Sequence, residues 1–367
     1  MPVSPPVIEP VGLTRARFRG REFIFFGGCD YFRLASHPRV RAALAKAVEQ
    51  GSISASASRV TTGTHPLHLK LETQLAEFFG APAALLVSAG YLANSAVTQG
   101  LRGEIGLALL DERAHASLRD AARFLDCPVR TFRHRSADDL KHRAKRWRGP
   151  GELLVLTDGM FATDGAVAPL KDYLKVLPHR ARFLVDDAHA AGVLGERGQG
   201  SAEHHEVSRA RIIQTMTLSK AFGTFGGVVL AERELCERIR RTSTLYAGQT
   251  ALPIPLAAAG LESIRLLGKQ PGFHRRLRQN IGFVRGRLAG PTPLAGDDFN
   301  PILSLTPANT RQASRLRREL LRRDVYPSFI HYPGGDAGGF FRFALSSEHS
   351  RPELNALVEA VLSAVAG

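Results

Sequence analysis

The sequence predicts an α/β fold built on a mostly parallel sheet, and two observations carry that expectation. Short apolar runs recur along the first two thirds of the chain: AALLVSAG (83–90), IGLALLDE (105–112), ELLVLTDG (152–159), ARFLVDDAH (181–189), RIIQTMTLSK (211–220) and GGVVLAERE (226–234). Near-continuous runs of this kind suit strands buried on both faces. Between them lie helix-like stretches such as SLRDAARFL and LKDYLKVL, and such alternation is the pattern of a parallel sheet. From about residue 250 the pattern changes. Long helical segments (PIPLAAAGLESIRLLG, PGFHRRLRQNIGFVRGRL) precede short strands (ILSLT, FFRFALS) and a last helix, RPELNALVEAVLSAV. The expected division is an N-terminal arm over 1–35, rich in Pro and Gly and without a core of its own, a large domain over 36–245, and a smaller α+β domain over 246–367.

Composition narrows the class. At 367 residues the chain exceeds one minimal core, and 44% hydrophobic with 23% charged residues describes an ordinary globular protein. No run approaches the roughly 18 apolar residues of a membrane span, and the N-terminal stretch lacks the apolar core of a secretory signal. Cys29, Cys127 and Cys236 are scattered, odd in number and outside any metal-ligand spacing, which reads as reduced thiols in the cytoplasm. The formal charge of +15 favours anionic partners such as phosphates, coenzyme A or nucleic acid. The densest basic run, KHRAKRWRGPG (141–151), has no RNA-binding signature and reads as a solvated helix face. RQASRLRRELLRRD (311–324) spaces its leucines as an amphipathic helix with a basic outer side.

Ligands of open α/β sheets sit beyond the C-terminal strand ends, and here those ends carry chemistry. Gly90-Tyr91 follows one strand, Asp111 leads to His115 after another, and Asp158-Gly159, Asp186 to His189 and Thr217 to Lys220 close three more. Taken singly, Asp186 could cap the next helix, and His115 and His189 could be satisfied core histidines. Their shared position argues for one crevice.

In TLSKAFGTFGG (217–227), Lys220 stands between hydroxylated residues and glycines. It is either a surface cation at a loop edge or an amine that holds a cofactor covalently. A Schiff-base lysine must be partly desolvated and neutral when it attacks. Pyridoxal phosphate has matching needs: a carboxylate for its ring nitrogen, hydroxyls and a helix N-terminus for its phosphate, and a flat partner for its ring.

The chain resembles the α-oxoamine synthases, a family of the pyridoxal-phosphate-dependent transferase fold type I. The resemblance runs from DYFRLASHPRV (30–40) to FRFALSSEHS (341–350). It is carried by SRVTTGTHPLHLKLETQLAEFFG (58–80), DGMFATDGAVAPL (158–170), VDDAHAAGVLGERGQG (185–200) and TLSKAFGTFGG, in that order and spacing. It implies pyridoxal 5'-phosphate as cofactor, bound covalently by Lys220, which would also move the Cα proton. Asp186 would pair with the ring nitrogen, His189 would lie near the phenolic oxygen and His115 would stack on the ring. Thr217 and the backbone of Gly90 and Tyr91 would hold the phosphate, joined by Thr250 from a neighbouring subunit, so that a homodimer shares each active site. Arg342 would grip the substrate carboxylate, which a bidentate fork suits. The implied reaction joins a small amino acid to an acyl-CoA thioester, usually with loss of carbon dioxide, and the implied enzyme acts on neither nucleic acid nor membrane.

Three stretches depart from the family's pattern. CDYFRL (29–34) stands where NDYLGL is usual, SISASASR (52–59) where a glycine-rich loop is usual, and FATDG (161–165) where FSMDG is usual. Added side chains in the second would narrow a ligand passage, and Arg33 in the first could hold a new anion, so Arg33 joins Arg342 as a substrate-binding candidate. Two other activities stay open: an aminotransferase on the same scaffold, and a silent protein that uses its basic surface on nucleic acid. Rival motifs are weaker. GERGQG (195–200) does not open a helix directly after a strand, and EHHE (203–206) and HPLH (65–68) lack a third-ligand cluster, so no metal site is expected.

Overall fold

The computed structural model describes residues 5–290, 299–331 and 338–365. The chain divides into two units. One comprises 37–162 with 167–271, the other 1–36, 163–166 and 272–367.

The first unit holds a seven-stranded sheet. Its strands are β4 (Ala83–Val87), β5 (Ile105–Asp111), β6 (Val129–Phe132), β7 (Glu152–Asp158), β8 (Arg182–Asp186), β9 (Ile212–Thr217) and β10 (Gly227–Ala231), numbered after three short strands of the second unit, β1 (Glu9–Pro10), β2 (Arg15–Phe18) and β3 (Arg21–Ile24). The order across the sheet is β4-β10-β9-β8-β7-β5-β6. Pairing is parallel from β9 through to β6, and only β10 runs against its two neighbours. All six apolar runs therefore became strands, and five of them, β4, β5, β7, β8 and β9, end at one edge. The strand missing from the sequence reading is β6: VRTF lies at the sheet border with three of four residues exposed, so it shows no apolar run.

Local chemistry sets the helices around this sheet. Helix α1 (Pro38–Gln50) opens on a proline with His37 as its cap. Helix α2 (Pro66–Phe79) opens on Pro66 and stops at Gly80, which adopts φ 60°, the left-handed stop that glycine makes without steric cost. At its start, His65 and His68 exchange bonds in a capping box, and His68 Nε2 also lies 2.7 Å from the Leu252 carbonyl. The HPLH histidines thus serve the fold. Next come α3 (Gly90–Gly100), α4 (Ala116–Ala122), α5 (Ala137–Lys145), α6 (Leu170–Val176), the short α7 (Ser201–His204), α8 (Arg233–Thr242), α9 (Thr244–Gly248) and α10 (Ile254–Lys269). Leu85, Val97, Leu118, Leu154, Leu184, Val229 and Ile239 interlock between the sheet and α3, α4 and α8.

Helix α10 moves the expected boundary. It packs against α1 and α2, so 246–271 belongs with the sheet unit and the division falls at 271/272 rather than 245/246. Its apolar face (Ala257, Ala259, Ile264, Leu267) is buried there, a tertiary fact that periodicity alone does not carry.

The second unit joins both chain ends. Strands β1 (Glu9–Pro10), β2 (Arg15–Phe18) and β3 (Arg21–Ile24) form one antiparallel sheet, and β11 (Ile302–Leu305), β13 (Phe340–Ala344) and β12 (Phe329–Ile330) another. Helices α11 (Gly272–Leu288), α12 (Thr310–Arg322) and α13 (Arg351–Val365) complete it. The arm contributes buried Phe26, Tyr31 and Phe32 to this unit. Ile24 N–H donates to the Asp324 carbonyl, and Ala344 N–H to that of Phe26.

His349 shows how tightly the arm is held. Its ring stacks on Phe26 at 4.1 Å. Its Nδ1 accepts from Ser346 N–H at 2.9 Å, and its Nε2 lies 3.3 Å from the Phe25 carbonyl. That arrangement needs a neutral imidazole, and burial pushes its pKa down to about 3. Below the ordinary value of 6.5 the unfolded chain takes up a proton that the folded chain refuses, so stability falls as pH drops from 6.5 toward 3. Urea unfolding at pH 7 and pH 4 should therefore show a wild-type loss larger by about 3 kcal/mol than that of His349→Gln; equal losses would contradict this account.

Candidate active site

The geometry begins at the C-terminal ends of the parallel strands. Asp158 ends β7, Asp186 ends β8, and they stand opposite one another in register. Both are buried. Asp186 is surrounded by donors: Asn94 Nδ2 at 2.6 Å and Ser117 Oγ at 3.3 Å reach its Oδ2, and Ala188 N–H reaches its Oδ1 at 3.0 Å. Asp158 Oδ2 accepts His115 N–H at 2.8 Å. Burial, reinforced by the charge of Asp186, pushes the Asp158 carboxyl well above the usual range. Asp187 turns away from this pair, accepting from Ser201 Oγ at 2.6 Å and Gln214 Nε2 at 2.6 Å, and burial pushes it up to about 6.

His115 caps α4, its Nδ1 accepting from Ser117 N–H at 3.2 Å and lying 2.8 Å from Ser117 Oγ. The ring keeps an exposed face and meets Tyr91 edge-on at 6.0 Å between centroids. Its surroundings still desolvate it enough to lower its pKa, with Asp186 pulling the other way and Lys220 adding to the lowering. Lys220 lies in the turn after β9, half-buried, and its charge acts on Asp158 as well as on His115. His189, three residues past Asp186, is buried.

Gly90 opens α3, whose N-terminus has no side-chain cap bond. A Cβ at Gly90 would stand 2.6 Å from Thr217 Cβ and 2.8 Å from its Oγ1, so only glycine lets the helix start approach the end of β9. Thr217 Oγ1 and Ser219 Oγ lie 2.5 Å apart beside it. Tyr91 is exposed and donates its hydroxyl to Asp120. Thr250 is exposed and bridges to Ser58 in the SISASASR stretch, where Ala251 N–H also donates to the Ala57 carbonyl.

Eight of the ten residues singled out in the sequence therefore belong to the sheet unit, and Arg342 and Arg33 to the other. Arg342, on β13, is buried with its guanidinium 3.5 Å from Cys29 Sγ. Arg33 adopts φ 53° and donates through Nη2 to the Phe25 carbonyl at 3.0 Å. Sequence reasoning missed Asn94, Ser117, Thr215 and Ser219. Only Ser219 carried a signal, its hydroxyl one position before Lys220. Among the described residues no cluster of His, Cys, Asp or Glu could hold a metal, and no helix is long and apolar enough to cross a membrane.

This scaffold is that of a known class. Residues 23–361 match the family described as aminotransferase class I and II. The chain belongs to it, and within it to the α-oxoamine synthases, the pyridoxal-phosphate-dependent acyltransferases. Particular relatives refine this. An 8-amino-7-oxononanoate synthase from Thioalkalivibrio sulfidiphilus is 36% identical over 93% of this chain and 88% of its own. A solved serine palmitoyltransferase from Sphingomonas wittichii is 30% identical with a TM-score of 0.90, covering 98% of this chain and 92% of its own. The solved 8-amino-7-oxononanoate synthase of Francisella tularensis is 26% identical with a TM-score of 0.79, covering 94% and 98%.

The residues present fit pyridoxal phosphate. Asp186 offers a buried carboxylate for a protonated ring nitrogen, Lys220 an amine, and the uncapped start of α3 with Thr217 and Ser219 a cradle for a phosphate. Gly90→Ala tests the cradle. Alanine within a helix is ordinarily stabilising by about 0.5–1 kcal/mol, so thermal stability without cofactor should not suffer from propensity. The new Cβ should displace Thr217 and weaken cofactor binding by about tenfold, read by fluorescence titration. Wild-type affinity in this variant would show that the close approach does not matter to the cofactor.

Proposed function

We propose that this enzyme joins a small amino acid to an acyl-CoA thioester, with Lys220 as covalent holder of pyridoxal phosphate and as the base that takes the amino acid's Cα proton. What carries this reading is the convergence of Lys220, His115 and Asp186 on one sheet edge, where each acts electrostatically on its neighbours. Bound pyridoxal phosphate supplies an electron sink that acidifies the Cα–H bond of an attached amino acid.

The chain's residues prepare that chemistry. Asp186, held by three donors, keeps a proton on the ring nitrogen, which makes the sink effective. Asp158 anchors the backbone of His115, so the imidazole stands ready to cover the ring face, while His189 serves the phenolic oxygen. Thr217 and the first N–H groups of α3 at Gly90 and Tyr91 hold the phosphate, and Thr250 reaches the phosphate of a second copy in a homodimer. Lys220 is the proton carrier at Cα. The new carbon–carbon bond forms at the thioester carbonyl and coenzyme A leaves as its thiol. Arg342 grips the amino acid's carboxylate. Arg33, engaged with the Phe25 carbonyl, would meet a substrate anion only on releasing it, so we give it the lesser part of the two. The three unpaired cysteines suit a cytoplasmic enzyme.

Purified protein incubated with amino acids and acyl-CoA thioesters should release coenzyme A, detected as free thiol, only when both substrates are present. Amino transfer to a keto acid without thiol release would replace this reading with the aminotransferase one. Borohydride should fix the cofactor to wild type and not to Lys220→Ala, and fixation in the variant would rule out that lysine. Asp186→Asn should bind cofactor yet turn over at least about 100-fold more slowly.

A further inference from the structure

Asn94 is fully buried in α3, beside the core residues Ala93, Ala96 and Val97. An asparagine is a poor choice there by helix propensity and by burial, yet its amide is fully engaged. Nδ2 donates to Asp186 Oδ2 at 2.6 Å and to Ser117 Oγ at 3.1 Å. Oδ1 accepts from Thr215 Oγ1 at 2.6 Å. A carboxylate only accepts, so the NH2 end must face Asp186, and the Thr215 hydroxyl donates to the oxygen at the other end, holding the amide plane in place. Thr215 lies opposite Asp186 in the β8–β9 register, so the lock and the carboxylate it serves sit on adjacent strands.

We propose that Asn94, locked by Thr215, is a positioning residue that fixes the Asp186 carboxylate in one orientation, ready to hold a proton on the cofactor's ring nitrogen. The inference rests on the assignment of Asp186 above. A carboxylate this deep swings away unless hydrogen bonds hold it. An amide suits the task better than a cation would. A lysine or arginine at this place would neutralise Asp186 and weaken its hold on a pyridinium, whereas a neutral donor orients the charge and leaves it available.

The test uses pyridoxal phosphate labelled with nitrogen-15 in the ring, bound to wild type, Asn94→Ala, Thr215→Val, Thr215→Ser and Asp186→Ala. Two quantities are read: the ring-nitrogen chemical shift, which reports its protonation directly, and the cofactor dissociation constant. Wild type should show the protonated ring. Asn94→Ala should move the shift toward the neutral ring and weaken binding by about 10–100-fold, as expected for a hydrogen bond to a buried charge. Thr215→Val, nearly the same shape without the hydroxyl, should move it the same way with about 3–10-fold weaker binding. Thr215→Ser should stay within about twofold of wild type, which a merely space-filling threonine would not require. A protonated ring and wild-type affinity in both Asn94→Ala and Thr215→Val would overturn the proposal while leaving Asp186 in its role. A protonated ring in Asp186→Ala would instead remove the assignment on which it rests. If Asn94→Ala does not fold, the contrast between Val and Ser at 215 decides alone.

Discussion

Two carboxylates buried side by side at the ends of adjacent strands are the constraint around which this site is arranged. Asp158 and Asp186 face each other in register, and a low-dielectric interior does not tolerate two neighbouring negative charges there. The structure separates them by environment. Asp158 receives one backbone N–H from His115 and is pushed toward its neutral form. Asp186 receives two side-chain donors and one backbone donor. Of the two, Asp186 has the richer donor set. Asp187, the next residue, is drawn out of the contest by Ser201 and Gln214.

That difference depends on the sheet. Parallel strands bring their ends to one edge, so residues far apart in the chain become neighbours: Asn94 meets Thr215 across 121 residues and Asp186 across 92. The same edge brings Thr217 against Gly90, where a single Cβ would not fit. Positioning by strands and by a helix start also costs less precision than positioning by long loops. The glycine at 90 and the uncapped helix end both follow from how closely the start of α3 approaches the end of β9.

The apolar runs made the sheet legible, because strands buried on both faces must be nearly all apolar. The strand ends were legible for the converse reason: Asp158 and Asp186 close such runs and Lys220 follows one by three residues, so that charges gather where the apolar runs stop. Asn94 and Thr215 were not legible. GYLANSA reads as an ordinary helix start and IIQTMT as an ordinary strand, and nothing local tells that a polar side chain inside either is aimed at an acid elsewhere in the chain. Strand β6 escaped because an exposed border strand has no apolar signature, and the placement of α10 because its apolar face fits either neighbour by periodicity. The resemblance to a known family supplied roles for residues but not their supports.

Arg33 shows how a departure from the family's pattern can be absorbed. It stands where that pattern has glycine, and it keeps the left-handed backbone, φ 53°, that suits glycine at a cost of roughly 1–2 kcal/mol for a residue with a Cβ. Its guanidinium bonds the Phe25 carbonyl, keeps a buried Nε without a hydrogen-bond partner among the described residues and lies in the field of Asp30, Cys29 and Glu353, while Asp30 in turn accepts Leu34 and Ala35 N–H at 3.0 Å each. Glu353 ties the same region to Thr14 through a 2.7 Å bond. Arg33 thereby ties the turn over 29–34 back to Phe25. Burial lowers its pKa from the ordinary value, as desolvation does to a cation, and the neighbouring carboxylates keep it charged. Arg33 is thus engaged within its own unit, where Cys29 lies beside Arg342.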